Sequence, residues 1–310
     1  MSAPSRSTLV RGAGTVQLGA GPVIYDKDGI EAALETTRFA IPTSAFGNVD
    51  QRRDDAVVKV RFTPSGAITA AMMASLYPYS SPNIGASIFT ASDVSAIIHS
   101  RAGKKLTLTA AALTRMPDLY LSAAKTAFGQ GELTAVYGNG KLPSDANSLY
   151  TLASEAFSDA SFARDEHLTI LYAAAWGEIL ADIVTESGWT ISFETGVSMY
   201  KVDDVGTIDG VLDDVGVMAK CTPVNLSEAI WDELRAQDEG AIRGMTERQT
   251  QDLVITGADD ALVFTLNDAA LVAGPLRWGR NVVRSGEIAF IGHRLEDTGV
   301  YSTLFSFTFP

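Results

Sequence analysis

The chain has 310 residues, 46% hydrophobic and 20% charged, a composition that excludes a disordered polymer and allows two cores. Its 24 Lys and Arg against 37 Asp and Glu leave a net charge of −13, which argues against a general phosphate-gripping surface. One cysteine, Cys221, excludes an intramolecular disulfide, and no run of about 18 apolar residues predicts a membrane span.

Met1 to Gly14 lacks an apolar h-region, so no signal peptide is expected. Gly12, Gly14, Gly19 and Gly21 do not match GxGxxG and read as bends in an N-terminal strand. Ile30, Ala32 and Leu34 then alternate as one face of a strand. A long polar connection, Arg38 to Arg53, carries Gly47-Asn48-Val49-Asp50 and leads into Asp54-Asp55. Val58, Val60 and Phe62 form the inward face of the next strand, with Lys59 and Arg61 on the other. Thr63-Pro64 stops that strand. A helix follows through Ala70, Met73 and Leu76 or Tyr77, and Pro78 ends it. Leu106 with Leu108, and Leu133 with Ala135, mark two more strands.

An insert, Gly138 to His167, comes next, where Ser144 to Phe157 has helical spacing through Leu149, Leu152 or Ala153, and Ala156, with Ser144 or Asp145 as N-cap. After it the first series recurs. Gly206-Thr207-Ile208-Asp209, Asp213-Asp214 and Thr222-Pro223 lie 159 residues beyond their counterparts (206 − 47 = 159), as Gly188 lies beyond Gly29. Ten of the 36 positions from Gly29 to Pro64 are identical to their partners, where chance gives roughly 2 or 3. Trp189, Ile191 and Phe193 answer Ile30, Ala32 and Leu34, while Val217, Ala219 and Cys221 answer Val58, Val60 and Phe62. Cys221 therefore reads as a core thiol. Asn225 and Glu228 read as a capping box for a second helix through Leu226, Ile230 and Leu234. Phe264 and Leu266 answer Leu106 and Leu108 at a shift of 158, and Gly286-Glu287-Ile288 answers Gly131-Glu132-Leu133 at 155. The repeats run from about Arg11 to Tyr137 and Leu168 to Gly292, which predicts units 1–137 and 168–310 joined by 138–167. Each reads as α+β dominated by antiparallel pairing.

No catalytic motif is visible: GxSxG, HExxH and the Walker loop are all missing from the sequence. His99, His167 and His293 fall at unmatched repeat positions and read as surface or strand-end residues. Asp50, Asp54 and Asp55, with Asp209, Asp213 and Asp214, have the composition of a calcium site, but turn chemistry beside an exposed loop is the favoured reading. No enzyme activity, metal or cofactor is expected. Asn225-Leu226-Ser227 is an incidental sequon.

The repeating unit resembles the tail tube proteins of long-tailed bacteriophages. The resemblance lies in Gly29 to Pro64 and Gly188 to Pro223: an extended strand, a polar connection ending in Gly-x-Val/Ile-Asp, then Asp-Asp, an alternating strand, Thr-Pro and a helix. The stretch from Trp189-Thr190-Ile191-Ser192-Phe193-Glu194 to Val205-Gly206-Thr207-Ile208-Asp209 carries it furthest. It implies two tandem β-sandwich or barrel-like domains, each with a flanking helix. It implies rings of six domains, here three chains, stacked around a lumen through which DNA passes without specific binding. The long connections would reach the next ring, through Phe46, Gly47, Asn48, Val49, Asp50 and Arg52 and through Val205, Gly206, Thr207, Ile208, Asp209 and Leu212. Further implied partners are the tape measure, tail terminator and distal tail proteins, in a virion tail assembled in the host cytoplasm. A baseplate hub or tail-completion ring uses the same fold. The rival class is a tandem β-sandwich module binding carbohydrate or protein, which usually clusters exposed aromatics; Trp176, Trp189, Trp231 and Trp278 are spread out.

Overall fold

Alternation and turn residues divide the chain into many short strands and a few long ones. A computed structural model describes residues 14–43, 47–66, 68–89, 95–100, 102–122, 125–137, 149–156, 172–202, 206–225, 228–233, 250–257, 262–273, 276–278, 283–294, 296–297 and 300–309. The first half comprises β1 (Gly14–Leu18), β2 (Val23–Asp26), β3 (Glu31–Thr43), β4 (Gly47–Phe62), β5 (Pro64–Ser65), α1 (Ala70–Leu76), β6 (Ala96–Ser100), β7 (Lys104–Leu108), β8 (Ala111–Arg115), β9 (Leu119–Ser122), β10 (Lys125–Phe128), β11 (Gly131–Ala135) and β12 (Tyr150–Ser154). The second comprises β13 (Tyr172–Trp176), β14 (Leu180–Ile183), β15 (Thr185–Val202), β16 (Gly206–Pro223), β17 (Gln251–Gly257), β18 (Val263–Ala273), β19 (Leu276–Trp278), β20 (Val283–Ser285), β21 (Ile288–Ile291), β22 (Glu296–Asp297), β23 (Val300–Tyr301) and β24 (Phe305–Thr308). The fold is mainly antiparallel β, with α1 as a short flanking helix and 228–233 helical as well.

Pairing follows one scheme twice. In the first half one sheet runs β12-β7-β6-β1-β2-β5 and a second runs β3-β4-β11-β8. In the second half β24, β18, β17, β13 and β14 repeat the first order, and β15-β16-β21-β18 repeat the second. The two sheets of the second half are joined because β18 runs unbroken through both, where β7 and β8 are separate strands. A strand that bends from one sheet into the next is a usual corner in such packings.

The 159-residue shift is also a shift in register. Glu31↔Arg61 becomes Thr190↔Lys220, and Thr37↔Asp55 becomes Gly196↔Asp214. Both hairpins skip one residue at the same two places, leaving Asp54 and Val49 in the first, and Asp213 and Ile208 in the second, as the extra residues of matching bulges. The repeated Asp-Asp and Val/Ile-Asp pairs thus mark kinks within strands, which corrects the expectation of turn chemistry there. On β21 the pairs Val60↔Leu133 and Ala219↔Phe290 set Phe290 against Leu133. The shift there is 157, two more than the glycine match suggested; two residues preserve the face, so the alternation could not reveal the slip.

Most inward faces read from alternation are buried, but on β3 Ala32 and Leu34 are exposed and Ile30 half-buried. Val58, Val60 and Phe62 lie in the core with Val217, Ala219 and Cys221, and so do Leu108, Leu133, Phe264, Leu266 and Phe290. Trp176 is fully buried and donates its indole N–H to the Ala269 carbonyl at 2.7 Å. Thr69 caps α1 by accepting from the Met72 N–H, and Met72, Met73 and Leu76 face inward; Ala70 is exposed.

Two expected helix features are corrected. Tyr150–Ser154, inside the expected helix Ser144 to Phe157, is a strand paired with β7; 138–148 and 157–171 lie outside the described residues. Five residues cannot separate a period of 2 from one of 3.6, and the edge of β7 supplies the hydrogen bonds that a helix would have made internally. Asn225 does not form the expected capping box. Its side-chain oxygen accepts from Val184 N at 2.9 Å and its amide donates to Asp182 O at 2.7 Å, tying the end of β16 to β14. Ile230 is buried as expected, while Leu226 and Leu234 lie outside the described residues.

Candidate functional site

The described residues of the long connections expected from Arg38 to Arg53 and from Val197 to Leu212 are strand. β3 and β4 pair as far as Thr43↔Gly47, and β15 and β16 as far as Val202↔Gly206, so each forms a hairpin arm. The bulges break the period-2 pattern, which is why these stretches read as loops. Within the first arm Gly47, Asn48, Asp50 and Arg52 pair with Thr43, Pro42, Ile41 and Phe39, Val49 is the bulge residue, and Asp50 is exposed. Phe46 and Val205 lie outside the described residues.

The second arm is held against the first half. Asp55 of β4 accepts from the Thr207 N–H at 2.7 Å and from its hydroxyl at 2.8 Å, and Thr207 is buried. Ser87 donates to the Asp209 carboxylate, which also accepts from the Gly210 N–H at 2.8 Å. Backbone bonds run from Gly85 N to Leu212 O, Leu212 N to Ala86 O and Ile88 N to Gly210 O, at 2.8, 3.1 and 2.9 Å. Gly206 and Leu212 are buried and Ile208 half-buried. Of the named arm residues, Thr207, Asp209 and Leu212 therefore bond within the chain.

A second seam lies at the other end of β15. The hairpin β9–β10 of the first half adds to its edge, with Trp189↔Leu121, Thr190↔Tyr120 and Ile191↔Leu119. One sheet thus runs from β10 through β9 and β15 into the whole second half. Gly188 permits the approach: its φ is +92°, and a Cβ there would stand 2.1 Å from the Leu121 carbonyl oxygen. Tyr77, just past α1, packs its ring 4.5 Å from that of Phe193 and donates its hydroxyl to Pro117 O at 2.9 Å. Burial, and then the charge of Asp118, raise the Tyr77 phenol well above its usual range, so it stays a donor. The sequence held a signal for β9, the alternation of Leu119 and Leu121 between Pro117 and Gly129, but nothing in it pointed to a partner in the other half.

Cys221 is buried, and burial followed by the charge of Glu287 pushes its thiol up, keeping it protonated. His99 contacts the Glu155 carbonyl at 3.1 Å, and His293 the Asp268 carbonyl at 3.3 Å; His167 lies outside the described residues. Among the described residues no group of three or more His, Cys, Asp or Glu is placed to hold a metal ion. Lys59 pairs with Glu35 and Arg61 with Glu132, each at 2.9 Å, on the sheet face away from the core. Among the described residues no helix is long and apolar enough to cross a membrane. Comparison of the chain with protein-family models found no match, and comparison with curated proteins found none either.

Proposed function

We propose that this chain is a structural protein that self-associates into stacked rings, as the tail tube subunit of a long-tailed bacteriophage. One observation carries the reading: the first half's hairpin extends the second half's sheet, so two units of like strand order are already joined edge to edge. Units that contact in one direction close into a ring when the rotation between them allows it. With two units per chain, three chains supply six. The ring would enclose a conduit for DNA, stack on its own copies, and meet tape measure, terminator and distal tail proteins at its ends. Electron micrographs of the concentrated protein should show rings and hollow tubes. Rings that never stack would shift the reading to a baseplate hub or tail-completion ring, and a monomer at all concentrations would end it.

A further inference from the structure

The seam between the halves has a matching set of strands that pair with no second element among the described residues. The hairpin β19–β20 has the pairing of β9–β10 at a constant shift of 157: Leu119↔Phe128 becomes Leu276↔Ser285. Yet β9 is bonded to β15, whereas β19 and β20 pair only with each other among the described residues. The counterpart of β15 is β3, which is the edge of its sheet among the described residues. Gly29, the counterpart of Gly188, has a φ of +104° and nothing within 4 Å of where a Cβ would stand.

Burial points the same way. Phe193 is 4% exposed, but its counterpart on β3, Leu34, is 48% exposed. Phe305 on β24 is fully buried against Phe193 and near Tyr77, while its counterpart on β12, Tyr150, is 40% exposed. Trp231, on the second half's helical stretch 228–233, is exposed as well. Asp214, the counterpart of Asp55, is exposed and opposite Gly196, and the position matching Thr207 is Asn48.

We propose that the second half of one chain docks onto the first half of a second copy through the contact that the first half makes to the second within the chain. β19 adds to the edge of β3 with Trp278 opposite Ile30, Arg277 opposite Glu31 and Leu276 opposite Ala32. The central pair carries opposite charges where the chain has Tyr120 opposite Thr190. Asp214 then receives Asn48 as Asp55 receives Thr207. The helical stretch with Trp231 covers Leu34 and Tyr150. The interface is heterologous, so each copy keeps one free side of each kind until the ring closes. This deepens the ring reading above and rests on it for assembly, although its register comes from this chain's own pairing.

Cysteine cross-linking tests it. Glu31→Cys and Arg277→Cys proteins, made separately and mixed under mild oxidation, should give a covalent dimer and nothing larger. Neither alone should cross-link, and the double variant should give a ladder ending at the ring size. Ala32→Cys with Leu276→Cys is a second in-register pair should the first variants fold poorly. The off-register Leu34→Cys with Arg277→Cys should yield about tenfold less, because opposed Cα atoms must approach within disulfide range. Rings in micrographs with no cross-link at either in-register pair, or Glu31→Cys linking to itself, would overturn the interface and leave the tube reading standing. The expected cross-links in a protein that never forms tubes would do the reverse.

Discussion

Asp26 shows how much one side chain can hold in a mainly β chain. It is buried at the end of β2, where Oδ1 accepts from the Thr63 N–H at 2.7 Å and Oδ2 accepts from the Gly29 N–H. It thus closes the turn into β3 and fixes the end of β4. Thr185, 159 residues on, makes the counterpart of the Gly29 contact in its own copy, accepting from Gly188 N at 3.0 Å. Asp26→Ala leaves two backbone donors without an acceptor, at about 1–3 kcal/mol each when buried. A loss of about 2–4 kcal/mol is expected, read as a lower denaturant midpoint at unchanged slope. A midpoint within error of the parent would show that water replaces the carboxylate at no cost. Neither residue stood out in the sequence, because Asp26 and Thr185 differ in type and share only a position and an acceptor oxygen.

At the scale of the element, legibility followed regularity. β4 from Ala56 to Phe62 was readable because seven residues alternate and Thr-Pro stops them. Its distal half was not, since the bulges at Asp54 and Val49 shift the phase by one residue each. β3 was legible as a strand, but Ala32 and Leu34, read as a buried face, are exposed. The docking of the second arm could not be read at all, because it depends on Asp55 meeting Thr207 across 152 positions. This contact has its own test. Thr207→Val removes the hydroxyl donor and leaves the backbone N–H to Asp55. A hydrogen bond to a charged group is worth about 1.5–3 kcal/mol. The expected outcome is a folded protein in which amides of Gly206 to Leu212 exchange about tenfold faster or more, with β13–β14 unaffected. Equal protection in both proteins would show that backbone bonding to Gly85, Ala86 and Ile88 alone holds the arm.

At the scale of the whole molecule, the proposed conduit raises the question of which charge a passing duplex would meet. A net charge of −13 does not locate one residue, and Lys59 and Arg61 on the non-core face of β4 look at first like a phosphate grip. The structure pairs each with a carboxylate, Glu35 and Glu132, and Glu31 adds a further charge to Arg61. In the single chain Glu31, Glu35 and Glu132 outnumber Lys59 and Arg61 on this part of the face, three to two, and Arg277 docked opposite Glu31 would leave it neutral in the assembly. These pairs are solvent-exposed, so they add little to stability, but they cancel the local field that would condense onto DNA. The assembled protein is therefore expected to leave duplex DNA unretained even at about 10 mM salt, where screening is weak and any phosphate contacts would be strongest. Replacing Glu31, Glu35 and Glu132 with Gln turns the same surface positive without altering its shape. If this face lines the conduit, that variant should bind duplex DNA with an affinity that falls steeply as salt rises. If the parent assembly already retained DNA with such a slope, the low-friction conduit would have to be given up. If the triple variant formed tubes but stayed indifferent to DNA, the face would belong to the exterior or to a contact between copies.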